Sequence, residues 1–463
     1  MNAASDTIAA ISTAPGESGI AIIRLSGPLS LVIADTIFQC NSPLPSQRAP
    51  GTFVLGHVLS HDNKTGATHA IDQAILLIFH APHSYTGDHV IEIQGHGGRT
   101  CATRILRTVL DAGAVPAHPG EFTRRAFINN RIDLLQAEAV LDLIRSRSER
   151  AASTALQQLQ GSLSSSLENI YNTILEIACN LEATLDFDDG ELPETVLPHM
   201  ATQLADAILQ IQLLLDTWEE GHLLREGALV VISGLPNVGK STMLNALLGS
   251  DRAIVTDMPG TTRDTVEEQI IIDGVPIRLV DTAGLRDTSC IIEQEGIRRT
   301  KDSMQSADAN VHVLDASSPM TQDTLHHIST LDPGRTVIAL NKTDLGQSTN
   351  QSDLPKFRTL SCSLIGDAST SHIKEAISTI LNLQGTESTP PHATISQRHK
   401  QALILALAGT EEAKELLNSR RDETSVLAAT ALRTALELLG NITGRSYSNE
   451  LLDGIFSRFC IGK

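Results

Sequence analysis

The chain is 463 residues long, 41% hydrophobic and 19% charged, with 54 Asp and Glu against 35 Lys and Arg for a formal charge of -19. That length accommodates about two to four domains in an ordinary globular mixture. The carboxylate excess repels phosphate backbones and excludes extended nucleic-acid wrapping, unless a local basic patch or a partner subunit supplies the cations. The six cysteines (Cys40, Cys101, Cys179, Cys290, Cys362, Cys460) stand singly, without a CxxC pair. Their scatter argues against a disulfide framework or a zinc site and fits a reducing compartment. Met1 to Ala10 contains Asp6 and no basic run, and apolar runs such as Ala228 to Ile232 are short. A membrane span needs about 18 apolar residues or more. A cytoplasmic chain with no signal segment and no membrane contact is expected.

Along the chain, β-rich runs come first (Ile20 to Leu25, Gln73 to Phe79, Val90 to Ile93), with a helical stretch near Arg104 to Leu110 and Gly and Pro punctuation between them. They predict a small α+β domain over 1–118. From Glu121 the pattern changes. Leu134, Ala137, Leu141 and Ile144 recur at spacings of three and four, and Leu156, Leu159, Leu163, Leu167, Ile170, Ile174, Ile177, Leu181 and Leu185 extend the stripe. One long amphipathic helix is predicted, broken at Asp186 to Gly190 and followed by a second helix carrying Leu204, Ile208, Ile211 and Leu215. The segment Trp218 to Gly227 reads as a polar lead into a buried strand.

Between residues 227 and 383, strand-like runs (Ala228 to Ser233, Ile277 to Asp281, Asn310 to Leu314, Thr336 to Leu340) alternate with helical segments. Such alternation specifies a parallel sheet covered by helices on both faces. Gln384 to Ser396 is a polar linker. The remainder is helical, with Ala429, Leu432, Leu436 and Leu439 on one face and Gly440 as the expected stop. The fold class is therefore multidomain: an α+β N-terminal domain, an all-α helical domain in two parts (119–226 and 384–463), and an α/β P-loop domain (227–383) inserted between them.

Gly234-Leu-Pro-Asn237-Val238-Gly239-Lys240-Ser241 fits GxxxxGK[ST], after a predicted strand and before the helical Thr242 to Leu248. In that setting loop amides surround phosphates, Lys240 reaches the outer ones, and the Ser241 hydroxyl holds Mg²⁺. Asp281-Thr282-Ala283-Gly284 closes one strand and would sense a γ-phosphate, with Asp281 reaching Mg²⁺ and the Gly284 amide reaching the phosphate. Asn341-Lys342-Thr343-Asp344 closes another. The Asp344 carboxylate can accept from both N1–H and the exocyclic amine of guanine, so GTP rather than ATP is expected. Ser361-Cys362-Ser363 lies where backbone would touch the guanine carbonyl, though a plain loop explains that tripeptide equally well. Thr256 to Asp264, which holds Thr256, Met258, Thr261 and Thr262, occupies the place of a mobile switch whose threonine completes the Mg²⁺ shell. Leu285 follows Gly284 where many small GTPases carry the glutamine that orients water, so another group must organise the attack.

These motifs, with Asp6-Thr-Ile-Ala, Ser18-Gly-Ile-Ala-Ile-Ile-Arg24-Leu-Ser-Gly27, Tyr85 to Gly98, Pro119 to Arg131, Gln136-Ala-Glu-Ala139 and the terminal Phe459-Cys-Ile-Gly-Lys463, give a chain that resembles the MnmE (TrmE) family of bacterial tRNA-modification GTPases from end to end. The resemblance implies a potassium-stimulated GTPase whose G domains dimerise, the ion replacing an arginine finger. It places K⁺ on Asn237, Thr256, Met258 and Thr261, and Mg²⁺ on Ser241 and Thr262. Thr242 falls in the GTP-contacting set, and Glu293 becomes the acidic residue that helps orient water, acting with Lys240 and Asp281 in catalysis. On its own, Glu293 reads as a solvated helix or loop residue.

The resemblance also implies that 1–118 forms the homodimer and binds a 5-formyl- or 5,10-methylene-tetrahydrofolate, with Arg24, Glu92, Arg131 and Lys463 on the folate contacts. Without it, each of these reads as a surface or capping charge. It further implies a flavoprotein partner, MnmG (GidA), in a heterotetrameric or larger complex. That partner would carry FAD, NADH and most of the tRNA while a 5-carboxymethylaminomethyl-type group is placed on the wobble uridine. Cys460, a candidate for chemistry in such proteins, is expected as a buried packing thiol. Two other classes make demands that this sequence does not meet. A GTP-controlled RNA-binding or ribosome-assembly factor would carry a KH segment or a second set of motifs, absent here. A structural or signalling GTPase gives no reason for the Cys-Ile-Gly-Lys terminus.

Overall fold

The computed structural model describes residues 6–61, 67–184, 196–250, 268–281, 307–346, 348–349, 354, 356–363, 368–383, 394–419 and 422–463. Its contacts divide the chain into two compact units, one of Met1–Leu141, Leu159–Ala205 and Ala408–Lys463, the other of Asp142–Gln158 and Asp206–Leu407.

In the first unit, β1 (Ile8–Ile11), β2 (Ile20–Ser26), β3 (Phe38–Gln39), β4 (Thr52–His61), β5 (Thr68–Phe79), β6 (Val90–His96) and β7 (Val115–Pro116) form a mixed sheet in the order β3-β4-β5-β6-β2-β1-β7. Helices α1 (Ser30–Ile37) and α2 (Arg99–Asp111) cover one face. Period-two alternation explains the layering: Ile23, Leu25, Leu76, Ile78, Ile91 and Ile93 point to those helices and meet Ile33, Ile37, Ile105 and Val109. The opposite face stays open at β4 and β5, where Phe53 is 71% and Leu55 60% exposed. Beyond the sheet, α3 (Glu121–Ile128) packs through Phe127 with Leu134 and Ala137 of α4 (Leu134–Arg145) and with Leu452 and Phe456 of the last helix.

The predicted single long helix is instead α4, α5 (Glu149–Leu159) and α6 (Ser162–Thr184). Side chains end the first: Ser146 Oγ donates back to Leu143 O, and Ser148 Oγ caps the second helix by accepting from Ala151 N. Gly161, at φ +94°, separates the second from the third. A continuous apolar stripe does not register such capping breaks, and Leu156 of that stripe is exposed. Leu185 and the expected break at 186–190 lie outside the described residues. The buried stripe Leu163, Leu167, Ile170, Ile174, Ile177 and Leu181 of α6 faces α13 (Asp422–Thr443), with Leu432 and Leu439 buried on the latter. Gly440 is not the stop expected for α13. The helix continues to Thr443 and closes at Gly444, φ +80°, where Arg445 N donates to Gly440 O in a Schellman arrangement. The last helix, α14 (Asn449–Phe456), is capped by Ser448 Oγ, which accepts from Leu451 N.

Of the remaining helices, α7 (Val196–Asp216) follows the predicted periodicity and α12 spans Gln397–Asn418. The presumed polar lead is helical, α8 (Trp218–Glu226), closed by Gly227 at φ +77°. In the second unit, the strands β8 (Ala228–Ser233), β9 (Glu268–Ile272), β10 (Val275–Asp281), β11 (Ala309–Asp315), β12 (Thr336–Asn341) and β13 (Arg358–Ser361) are ordered β13-β12-β11-β8-β10-β9. All neighbours are parallel except β9, which pairs antiparallel to β10 through an Asp273-Gly274 turn with both φ angles positive. An Asp-Gly pair between two strands is a hairpin signal, which makes β9 the antiparallel exception in the expected parallel sheet. Helices α9 (Lys240–Ser250), α10 (Gln322–Ser329) and α11 (Ala368–Ile380) complete the α/β arrangement. Among the described residues no helix is long and apolar enough to cross a membrane.

Candidate functional site

Parallel strands deliver their carboxyl ends to one edge of the sheet, and the motifs sit there: the phosphate loop after β8, Asp281 ending β10, Asn341 ending β12 and Ser361 ending β13. The loop turns sharply because Gly234 holds φ +141°, where a Cβ would lie 2.4 Å from Val313 O, and Gly239 holds φ +102°. Val238 alone in the loop turns inward to the core, and α9 begins directly at Lys240. Lys240 is only 7% exposed, and its Nζ donates to Leu235 O at 2.9 Å, folded over its own loop. Ser241 Oγ donates to Asp281 Oδ2 at 3.0 Å. A hydroxyl beside a carboxylate is the hard-oxygen pair that suits Mg²⁺.

The base motif is tied to this loop. Asn341 Nδ2 donates to Val238 O and Lys342 Nζ to Asn237 O, each at 2.9 Å. Lys342 occupies the left-handed region at φ +63°. Thr343 bonds Cys362 O through both its amide and its hydroxyl, and Ser363 Oγ donates to Asp344 Oδ1 at 2.8 Å. Thus Asn237, Val238, Gly239, Lys240, Ser241, Thr242, Asp281, Asn341, Lys342, Asp344, Ser361 and Cys362 converge on one edge. Thr256, Met258, Thr261, Thr262, Thr282, Ala283, Gly284 and Glu293 lie outside the described residues.

Two contributors escaped the sequence reading. Asp315, at the end of β11, accepts from Lys342 Nζ at 2.7 Å and from Ser317 N and Oγ at 3.0 and 2.6 Å. Burial pushes its carboxyl up, and the hydrogen bonds from Lys342 and Ser317 more than offset this, leaving it below the usual range. Beneath the loop, His312 of β11 stands opposite Ser233 in the parallel register, with Nδ1 2.9 Å from Ser233 Oγ, which also bonds Asn310 Oδ1 at 2.8 Å. Burial foremost, then the charges of His327 and Lys240, lower the His312 pKa to about 3. Both residues sit in an apolar-looking strand run, so only their register revealed them.

A pH dependence follows from His312. Between its unfolded value of about 6.5 and the folded value of about 3, the unfolded chain binds a proton that the native state refuses. Stability therefore falls as pH drops through this window, by roughly 2 kcal/mol between pH 7 and 5. Urea midpoints at the two pH values should differ less in His312→Gln than in the parent chain; equal differences would show that His312 is not held neutral.

A second constellation lies in the first unit. Cross-strand partners Arg24 (β2) and Glu92 (β6) bond at 2.8 Å, and the Arg24 guanidinium lies 5.5 Å from the Tyr85 ring centroid and 5.7 Å from that of Phe122. The terminal segment runs into it: Gly462 O accepts from Ser12 Oγ at 3.0 Å and Arg24 Nη1 at 3.5 Å, and Lys463 O accepts from Phe122 N at 3.2 Å. Burial, then the Arg24 charge, push the Lys463 ammonium down, against Glu92 and Cys460. Tyr85 hydrogen-bonds Thr123 Oγ1 at 2.8 Å; burial raises its phenol above the usual range despite that bond and Arg24. Arg131 is exposed and packs by Gly87 instead. Contrary to expectation, Cys460 is exposed: Phe459 takes the inward position and Cys460 turns outward.

A strand, a glycine-bounded loop, and a helix opening on Lys and Ser at the carboxyl edge of a parallel sheet define a P-loop nucleotide-binding fold. Residues 134–460 match the MnmE helical domain, and residues 7–131 match the GTP-binding protein TrmE N-terminus. The chain is 38% identical over 463 residues to the tRNA modification GTPase MnmE of Alkaliphilus oremlandii, covering 99% of both. It is 39% identical over 462 residues to that of Caldicellulosiruptor saccharolyticus, again covering 99% of both. Among solved structures, the G domain of the T. maritima FeoB iron transporter is 24% identical over 33% of this chain and 98% of its own, with a TM-score of 0.26. Aquifex aeolicus Era bound to GDP and AlF4- is likewise 24% identical, over 39% and 66%, with a TM-score of 0.26. The chain belongs to the MnmE family of tRNA modification GTPases. It is a GTP hydrolase acting in tRNA modification, using GTP and Mg²⁺.

Proposed function

We propose that this chain is a potassium-stimulated GTP hydrolase that works with the flavoprotein MnmG (GidA) to place a carboxymethylaminomethyl-type group on C5 of the wobble uridine of certain tRNAs, using a tetrahydrofolate one-carbon donor. Residues 227–383 form the G domain. Its phosphate loop, Asn237 to Thr242, holds the triphosphate, Asp344 reads guanine, and the Ser361-Cys362 backbone abuts the base. Ser241 and Thr262 hold Mg²⁺; Asn237, Thr256, Met258 and Thr261 hold K⁺; Glu293 orients water. The convergence of the loop with Asp281 and the base motif supports this assignment.

Residues 1–118 bind the folate and form a homodimer, while 119–226 and 384–463 make up the helical domain. The open apolar face around Phe53 and Leu55 favours pairing with a second copy. FAD, NADH and most of the tRNA belong to the partner, in keeping with the net charge of -19.

The observation that carries the folate assignment is the return of the terminal segment to the Arg24–Glu92 pair, where Gly462 O accepts from Arg24 Nη1 and the charges of Arg24 and Glu92 act on Lys463. A carboxylate can take pterin donors, and the cations can meet the glutamate tail. Extending the chain past Lys463 by a short tag should weaken 5-formyltetrahydrofolate binding about tenfold, while GTP turnover stays at the parent rate. Unchanged folate affinity in calorimetry would remove the terminus from the pocket.

A further inference from the structure

The strand order sets β11 between the strand that leads into the phosphate loop, β8, and the strand that ends in the base motif, β12. Asp315 is the last residue of β11 and stands opposite Asn341 in register. Its neighbour Ala316 locks that edge, donating its amide to Asn341 O at 2.8 Å. One carboxylate oxygen of Asp315 is taken up by Ser317, whose amide and hydroxyl both donate to it. The other receives Lys342 Nζ at 2.7 Å, and the same ammonium donates to Asn237 O in the phosphate loop at 2.9 Å. Lys342 thus bridges an anion fixed on the sheet and a carbonyl of the glycine loop, on a backbone in the left-handed region at φ +63°.

A flexible four-carbon ammonium has no preferred geometry of its own, so its aim depends on what holds it. Ser317 fixes the carboxylate; the carboxylate fixes the ammonium; the ammonium fixes Asn237 O. From this chain of contacts we infer that Asp315 is a positioning residue, which pre-sets the phosphate loop against the base-reading loop so that both halves of the nucleotide meet groups already in place. The inference rests on the placement of the nucleotide at Gly234 to Ser241 and Asp344.

Its consequence is specific. The clasp holds Asn237 by its main-chain oxygen, leaving the side chain alone, and lies two strands from Asp281. It therefore contributes equally to GTP, GDP and the transition state, and its loss costs uniform binding rather than the chemical step. Asp315→Asn keeps the shape and removes the charge. Fluorescent GDP and a non-hydrolysable GTP analogue should both bind about tenfold more weakly, equivalent to about 1.4 kcal/mol. The KM for GTP should rise in step while kcat stays within about threefold. Asp315→Glu should recover most of the affinity. In a double-mutant cycle, Asp315→Asn should add little to Lys342→Ala, because the two side chains act as one unit.

Affinities within twofold of the parent, a fall in kcat with unchanged KM, or fully additive effects with Lys342→Ala would each overturn the clasp. Lys240→Ala, run alongside, separates the two readings. If it abolishes nucleotide binding while Asp315→Asn does nothing, the site stands and the clasp falls. If neither matters, the placement of the nucleotide falls with it.

Discussion

Asp344→Asn is expected to lower GTP affinity by about two orders of magnitude and to raise that for xanthosine triphosphate by a similar factor, about 2.7 kcal/mol each way. Guanine presents two donors, N1–H and the exocyclic amine, and a carboxylate offers only acceptors, so the match is complete. Asparagine replaces one acceptor by a donating amide. Against guanine this opposes donor to donor, and each is left unpaired once the base covers them. Against xanthine, which carries an oxygen where guanine carries its amine, the same amide finds an acceptor. The side chain is held in place: Ser363 Oγ donates to Asp344 Oδ1 at 2.8 Å, while Thr343 is held to Cys362 O by two bonds, so the carboxylate stands on a braced loop. Competition binding of the two triphosphates to parent and variant measures the switch. An unaltered preference for GTP would place base recognition elsewhere.

The second large effect is the loss of turnover in Lys240→Ala, by about three orders of magnitude in kcat/KM. Lys240 begins α9, at a helix N-terminus whose free amides suit an anion, and its ammonium is kept close by Leu235 O at 2.9 Å. That carbonyl is a weak partner compared with phosphate oxygens, and charge-assisted bonds to a phosphoryl group strengthen as negative charge gathers on it. Removing the ammonium therefore withdraws stabilisation from the bound triphosphate and, more, from the transition state. The two variants should differ in kind. The Asp344 variant keeps turning over the triphosphate it now prefers, whereas the Lys240 variant is slow with every triphosphate. Steady-state phosphate release with Mg²⁺ and saturating nucleotide separates them, and near-parent turnover in Lys240→Ala would remove this lysine from the reaction.

Local chemistry wrote the phosphate loop, Asp281 and the Asn341 to Asp344 stretch into the sequence, because a loop that wraps phosphate must have glycine where φ is positive and a strand that delivers it must be apolar. The parallel pairing of β8, β10, β11 and β12 followed from the alternation of strand and helix, and the buried stripe of α6 followed from its period. Where competing local bonds decided the outcome, periodicity misled: Ser146, Ser148 and Gly161 cut one stripe into α4, α5 and α6, and Gly444 rather than Gly440 ended α13.

What the sequence determined by itself is that the Gly234 to Ser241 loop, Asp281 and the Asn341 to Asp344 stretch each end or follow a strand of one sheet. What only tertiary structure decided is which other groups stand with them. Asp315 and His312 are one acid and one imidazole among many along the chain, and they acquire their parts because register sets them beside Lys342 and Ser233. Gly462 meets Arg24 across more than four hundred intervening residues only because the terminal segment returns to the first sheet. Propensity acts over a few residues and is legible in one dimension. Burial and charge pairing act between neighbours in space, and the fold alone selects those neighbours.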